Sequence, residues 1–145
     1  MHCFEETREL QCSAHEIFSV VMDIEAYPDF LPWLAKARIL DVSDDQLSAE
    51  LVADFSGMQQ TFRTVDRFVP DRMVEVRLLD GPFRFLESLW TFEVIDSEHC
   101  RVHFSIEFEF NNMILSLVAT PIFTVSCKGM VEAFEKRVYA QRKKI

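Results

Sequence analysis

The side chains in this sequence that could do chemistry are few and scattered. The four cysteines, Cys3, Cys12, Cys100 and Cys127, form no C-x-x-C pair and lie at no zinc-ligand spacing from a histidine, so no metal is expected. The histidines are His2, His15, His99 and His103. Two sit near the starts of elements, one in a turn and one on the charged face of a strand. No triad spacing, H-x-x-H pair or glycine-rich phosphate loop accompanies them, so they read as solvated or structural and no catalytic residue is assigned. What remains is polar groups within otherwise apolar strands: Arg84 and Ser88 near Trp90, and Thr64 with Asp66. A buried hydroxyl or guanidinium there would orient a carbonyl of a bound molecule by hydrogen bonding. Equally, Ser88 fits as a small residue in a tight place, and Arg84 as a residue at the sheet's edge.

These groups must be positioned by strands. Cys3 to Cys12 reads as a first strand with one solvated face. Ser13-Ala14-His15-Glu16 is a capping box, followed by Ile17, Val20, Val21 and Ile24 at helical spacing. Pro28 and Pro32 then break the chain into a rigid, turn-rich segment, Tyr27 to Trp33, suited to a mouth or lid. Period-two alternation follows in Leu47 to Phe55, Val74 to Leu78, Leu86 to Val94 and Val102 to Phe110, which predicts an antiparallel sheet packed on one face. Gln59 to Val69 mixes its faces, with Phe62 and Phe68 on one and Val65 and Val69 on the other, and predicts a bulge. Thr120-Pro121 reads as an N-cap and first helical residue. Ile122, Phe123, Cys127, Met130, Phe134 and Val138 then mark one face of a single helix to about Arg142. Such a helix is roughly 33 Å long. Met113, Ile114, Leu115 and Leu117 precede it, either as an exposed apolar lip or as a first buried turn, with burial favoured.

The chain has 145 residues, enough for one domain spanning 1–145. It holds 14 Phe against 2 Trp, 2 Tyr and 3 Gly, which implies either an unusually bulky core or the wall of an apolar pocket. The formal net charge is −9, a poor match to DNA or RNA phosphates. The exception is the basic run Lys136, Arg137, Arg142, Lys143 and Lys144, which suits a helix C-terminus and could also serve as a handle for anions. There is no charged lead-in before an apolar run and no presequence pattern. The apolar stretch from Met113 to Val125 is too short to span a bilayer. A cytoplasmic location with reduced thiols is the expectation.

The segment Tyr27-Pro28-Asp29-Phe30-Leu31-Pro32-Trp33 resembles the Y-P-x-F-L-P-W signature of the coenzyme Q-binding family. Gly81-Pro82-Phe83-Arg84-Phe85-Leu86 leading to Trp90-Thr91-Phe92 is similar to that family's G-P-F-x-x-L…W-x-F strand. Cys100-Arg101-Val102 to Phe110, and Met130 to Phe134, continue the likeness across nearly the whole chain. The family is grouped with polyketide cyclase/dehydrase-like proteins of the START-like superfamily and includes bacterial ribosome-association toxins. Members often carry Cys directly after the tryptophan of the signature, where this chain has Leu34.

The resemblance implies an α+β helix-grip fold: an antiparallel sheet of six or seven strands wrapped around a long C-terminal helix, with two short helices after the first strand. It implies a cavity between helix and sheet, taken to be lined by Tyr27, Phe30, Leu31, Trp33, Leu51, Phe62, Val76, Leu86, Ser88, Trp90, Phe92, Phe104, Phe108, Phe123, Met130 and Phe134. Arg84, Ser88 and Thr64 are the candidate head-group contacts. The implied ligand is a polyprenyl quinone, ubiquinone, bound non-covalently by a non-enzymatic carrier or chaperone that supports respiration and touches the inner membrane peripherally. The alternative is binding to the large ribosomal subunit. A polyketide cyclase or dehydratase lacks an evident acid/base pair.

Overall fold

Alternation of apolar and polar side chains makes each strand bury one face. The computed structural model describes residues 1–142. Its elements are β1 (His2–Leu10), α1 (Ala14–Met22), a 3₁₀ helix (Ile24–Asp29), β2 (Leu34–Val42), β3 (Gln46–Phe55), β4 (Met58–Val69), β5 (Met73–Asp80), β6 (Phe83–Asp96), β7 (His99–Phe110), α2 (Met113–Lys128) and α3 (Met130–Arg142). The strands form one antiparallel sheet in the order β1-β7-β6-β5-β4-β3-β2. β2 to β7 make a meander and β1 returns to pair with the last strand. The sheet and the short helices after β1 are those expected.

Local chemistry fixes the connections. Ser13 accepts from the Glu16 N–H at 3.1 Å while the Glu16 carboxylate accepts from the Ser13 N–H at 3.0 Å, closing the capping box on α1. Ser56 and Gly57 both have positive φ, so a two-residue hairpin joins β3 to β4, and Asp54 Oδ1 accepts from the Gly57 N–H at 2.7 Å. Gly81 turns β5 into β6 at φ +143°, where a Cβ would stand 2.4 Å from the Cβ of Phe62. Only glycine lets those two backbones approach so closely.

β4 does not mix its faces. Phe62, Thr64 and Asp66 are all buried on one side, so the strand alternates cleanly but carries polar groups at inward positions. The bulge lies at this place, yet the extra residue is on the neighbouring strand: Arg63 pairs with Asp80 and Thr64 with Leu78, leaving Leu79 of β5 over. β6 runs past the core, and its Val94 is exposed.

The long helix is two helices. α2 begins at Met113, where Asn112 is the N-cap and its Oδ1 accepts from the Leu115 N–H at 3.0 Å. Pro121 therefore lies inside α2, not at its start. The chain bends by 53° between α2 and α3 at Gly129, so no straight rod crosses the molecule. Leu115, Ala119, Phe123 and Cys127 repeat at i+4 on the buried face. Met113, Ile114 and Leu117 point the other way, and their burial was wrongly expected: Met113 is 83% exposed and its two companions nearly as much.

Aromatic side chains fill the space between sheet and helices in two groups. Under α2, Phe123 meets Phe108 edge-on at 4.7 Å and Trp33 at 5.2 Å, while Phe83 stacks on Phe110 at 4.6 Å. Under α3, Phe134 meets Trp90 at 5.0 Å, Phe30 at 5.1 Å and Tyr27 at 5.2 Å, and Trp90 meets Phe104 at 4.6 Å. Such ring pairs add about 0.5–1.5 kcal/mol each beyond area burial. Much of the phenylalanine thus packs ring on ring.

Candidate functional site

Where the two aromatic groups fail to meet, a cavity of about 90 Å³ remains. Each wall comes from an element already argued. The rigid proline segment supplies Tyr27, Leu31 and Trp33. The inward positions of β3 to β7 supply Leu51, Phe62, Thr64, Val76, Leu86, Ser88, Trp90 and Phe104. The helices supply Phe123, Met130 and Phe134. Met130 follows the bend at Gly129, so the kink sets where the roof changes helix.

Thirteen of the sixteen residues expected to line a cavity do so, and Thr64 joins them. Three do not. Phe30 lies beyond Phe134, with the Arg137 guanidinium 5.3 Å over its ring. Phe92 is farther along β6, edge-on to Phe18 of α1 at 6.0 Å. Phe108 is buried beneath Phe123. The structure adds Ile24, Leu34, Ile106 and Asp66 to the lining.

Arg84 is no head-group contact. It is on the outer face, its side chain 71% exposed, with Nε 3.9 Å from Glu109. Phe83 pairs with Phe110 and Phe85 with Glu109, so one residue of β6 is extra at Arg84. That bulge shifts the strand's parity: Phe83 faces in where period two, counted back from Leu86 and Ser88, would have put Arg84.

The polar part of the cavity is therefore small. Thr64 (1% exposed) donates its hydroxyl to Asp66 Oδ1 at 2.9 Å, and Asp66 itself is 5% exposed. Burial pushes the Asp66 carboxyl up to about 6, and the Thr64 hydrogen bond opposes this. Cross-strand pairing places Asp66 opposite Val76, Val76 opposite Ser88, and Ser88 opposite Ile106, so two polar groups and two apolar ones share one row. The Tyr27 phenol donates to the Val21 carbonyl. Burial, with Asp66 and Asp23 nearby, holds its pKa well above the usual phenol range. Trp33 keeps its indole N–H buried without an acceptor. The signal for Asp66 was in the sequence as an acidic residue at an inward position of β4.

The thiols lie elsewhere. Cys12 and Cys100 are buried side by side, and Cys12 is pushed up by its hydrogen bond to Cys100 and by burial. Burial lifts Cys127 to about 12. Among the described residues no cluster of His, Cys, Asp and Glu could hold a metal ion.

Known proteins share this architecture. A family described as polyketide cyclase / dehydrase and lipid transport matches residues 10–135. The ribosome association toxin RatA of Escherichia coli K12 is 33% identical over 133 residues, covering 90% of this chain and 84% of the toxin. The mitochondrial coenzyme Q-binding protein COQ10 homolog B of Xenopus laevis is 28% identical over 146 residues, 96% of this chain and 60% of that protein. In three dimensions, the Zhui aromatase/cyclase from Streptomyces sp. R1128 superposes with a TM-score of 0.82 over 95% of this chain and 93% of its own, at 16% identity, a likeness of fold alone. Seven antiparallel strands gripping C-terminal helices, with the match running from β1 into α3, place the chain in the polyketide cyclase/dehydrase and lipid-transport family of START-like proteins.

Proposed function

We propose that this protein binds an apolar molecule with a hydrogen-bonding head group, a polyprenyl quinone such as ubiquinone, and carries it rather than transforming it. The observation that supports this is the cavity: hydrocarbon and aromatic walls with a few polar groups, the Thr64–Asp66 pair and Ser88 two strands away. Such a site orients a head group while the rest of the ligand gains only from burial, about 0.8 kcal/mol per CH₂. At about 90 Å³ the space is below the ~150 Å³ that takes up benzene. Entry of a ring and tail therefore requires the cavity wall to open, and the bend between α2 and α3 beside Met130 is the place we propose for it. Among the described residues no single helix is long and apolar enough to cross a membrane, and on this reading the carrier would meet the inner membrane from its surface.

Mass spectrometry of lipid extracted from purified protein is the test. Quinone in near-stoichiometric amount is expected. Its absence, with no tail-length-dependent binding of added quinone, overturns the reading.

A second reading, association with the large ribosomal subunit, is favoured by the 33% identity to a toxin named for ribosome association. Charge weakens it. Of the basic run, Lys136 is 3.1 Å from Glu132, Arg137 3.6 Å from Asp29 and Arg142 2.8 Å from Glu16. Lys143 and Lys144 lie outside the described residues. Co-sedimentation with the large subunit, lost when Arg142, Lys143 and Lys144 are replaced, would favour this reading over the carrier.

A further inference from the structure

The carboxylate in the cavity is half satisfied. Thr64 reaches Asp66 Oδ1, and among the described residues no other protein donor reaches this carboxylate. Among the described residues no basic side chain lines the cavity to neutralise it. Tyr27, the other titratable group in the lining, has its proton committed to the Val21 carbonyl. Asp66 is 5% exposed and lines the cavity, so an O–H or N–H of whatever enters is the partner its carboxylate lacks, while the lone pairs of a hydroxyl stay available to the Trp33 N–H, buried in the same lining without an acceptor. A carbonyl oxygen offers only lone pairs and would face the carboxylate in repulsion.

Resting on the carrier reading above, we infer that the cavity selects ligands whose head group presents a hydroxyl to Asp66, so that a quinol is held in preference to its quinone. Thr64 positions the carboxylate, and Ser88, two strands away in the same cross-strand row, is the nearer choice for an acceptor or donor on the ring's other substituents. Burial lifts the Asp66 carboxyl to about 6, and the test below is run at pH 7.5, above that value. A hydroxyl donated to a carboxylate is among the stronger hydrogen bonds, and its loss corresponds to about tenfold or more in affinity.

The experiment is anaerobic titration calorimetry of the full chain at pH 7.5 with three probes: a decyl-tailed benzoquinone, its quinol, and the dimethyl ether of that quinol. The quinol is expected to bind about tenfold or more tightly than either partner lacking the O–H groups. In Asp66→Asn the three affinities are expected to converge to within about threefold, because an amide offers donor and acceptor alike. If the wild-type protein binds all three equally, the selectivity is wrong while the carrier reading stands. If the quinol preference survives in Asp66→Asn, Asp66 is not its source and the inference falls. If none of the three binds, the carrier reading fails and takes this inference with it.

Discussion

Burial holds the Asp66 carboxyl up at about 6 from an ordinary 3.8, and this has a definite sign for stability. Between those values the folded protein holds a proton that the unfolded chain has lost. The contribution, on the order of 3 kcal/mol, is fully present below about pH 4 and is lost as pH rises through about 6. Asp66→Asn is therefore expected to stabilise the fold at pH 7 by up to about 3 kcal/mol and to flatten the decline between pH 4 and 6, read from urea midpoints. Glu16 behaves oppositely. The Arg142 fork, with both nitrogens at 2.8 Å, and the Ser13 N–H hold it at about 2 instead of 4.5. Its contribution is present above about pH 4.5 and lost as pH falls through 2. Discounted for solvent screening, Glu16→Gln is expected to cost about 1 kcal/mol at pH 7 and to shift acid unfolding to higher pH. Any neutral-pH loss of stability in Asp66→Asn, or a loss above about 3 kcal/mol in Glu16→Gln, would contradict these roles. The Ser13–Glu16 half of this arrangement was legible because a capping box is a local motif. Its Arg142 partner was not, being 126 residues away.

At the scale of elements, the proposed carrier role makes the bend at Gly129 the place to test for ligand entry. A Cβ added there meets nothing nearer than the Val125 carbonyl oxygen at 3.8 Å, and the backbone lies at φ −96°, so alanine fits. Gly129→Ala is expected to raise stability by about 1 kcal/mol through lost freedom in the unfolded chain, and to slow uptake of a tailed ligand in stopped-flow fluorescence from Trp33 and Trp90. Unchanged uptake would place the moving part elsewhere. The break was misread from sequence because Thr120-Pro121 is a good helix start in isolation. Here Asn112 already caps the helix, and α2 accommodates the proline without its N–H. Arg84 was misread for a similar reason. Its strand is periodic, but a bulge changes the parity between Arg84 and Leu86, and bulges leave no reliable mark in a single sequence.

On the scale of the whole molecule, an acidic protein of net charge −9 presents one uncharged apolar surface. Residues 113 to 127 carry no charged side chain, and Met113, Ile114, Leu117 and Val125 are all more than two-thirds exposed. The triple change Met113→Ser, Ile114→Ser and Leu117→Ser is expected to lower stability by less than about 1 kcal/mol, since these side chains leave water little on folding. Self-association at high concentration, followed by sedimentation, is expected to fall. A loss of 3 kcal/mol or more would mean that the three are buried against something in solution.

The sequence by itself determined the periodicity of most strands, the capped first helix and the family to which the chain belongs, because each is written in short-range spacing or in matched motifs, whereas the clean alternation of β4 was not. Whether 14 phenylalanines touch one another or enclose a space was a different question. Its answer depends on which rings meet across the sheet and on where the two helices bend, and both are set by contacts between residues far apart in the chain. Only the tertiary structure decided that the rings largely pack together in two groups, and that the small gap between them contains a buried carboxylate.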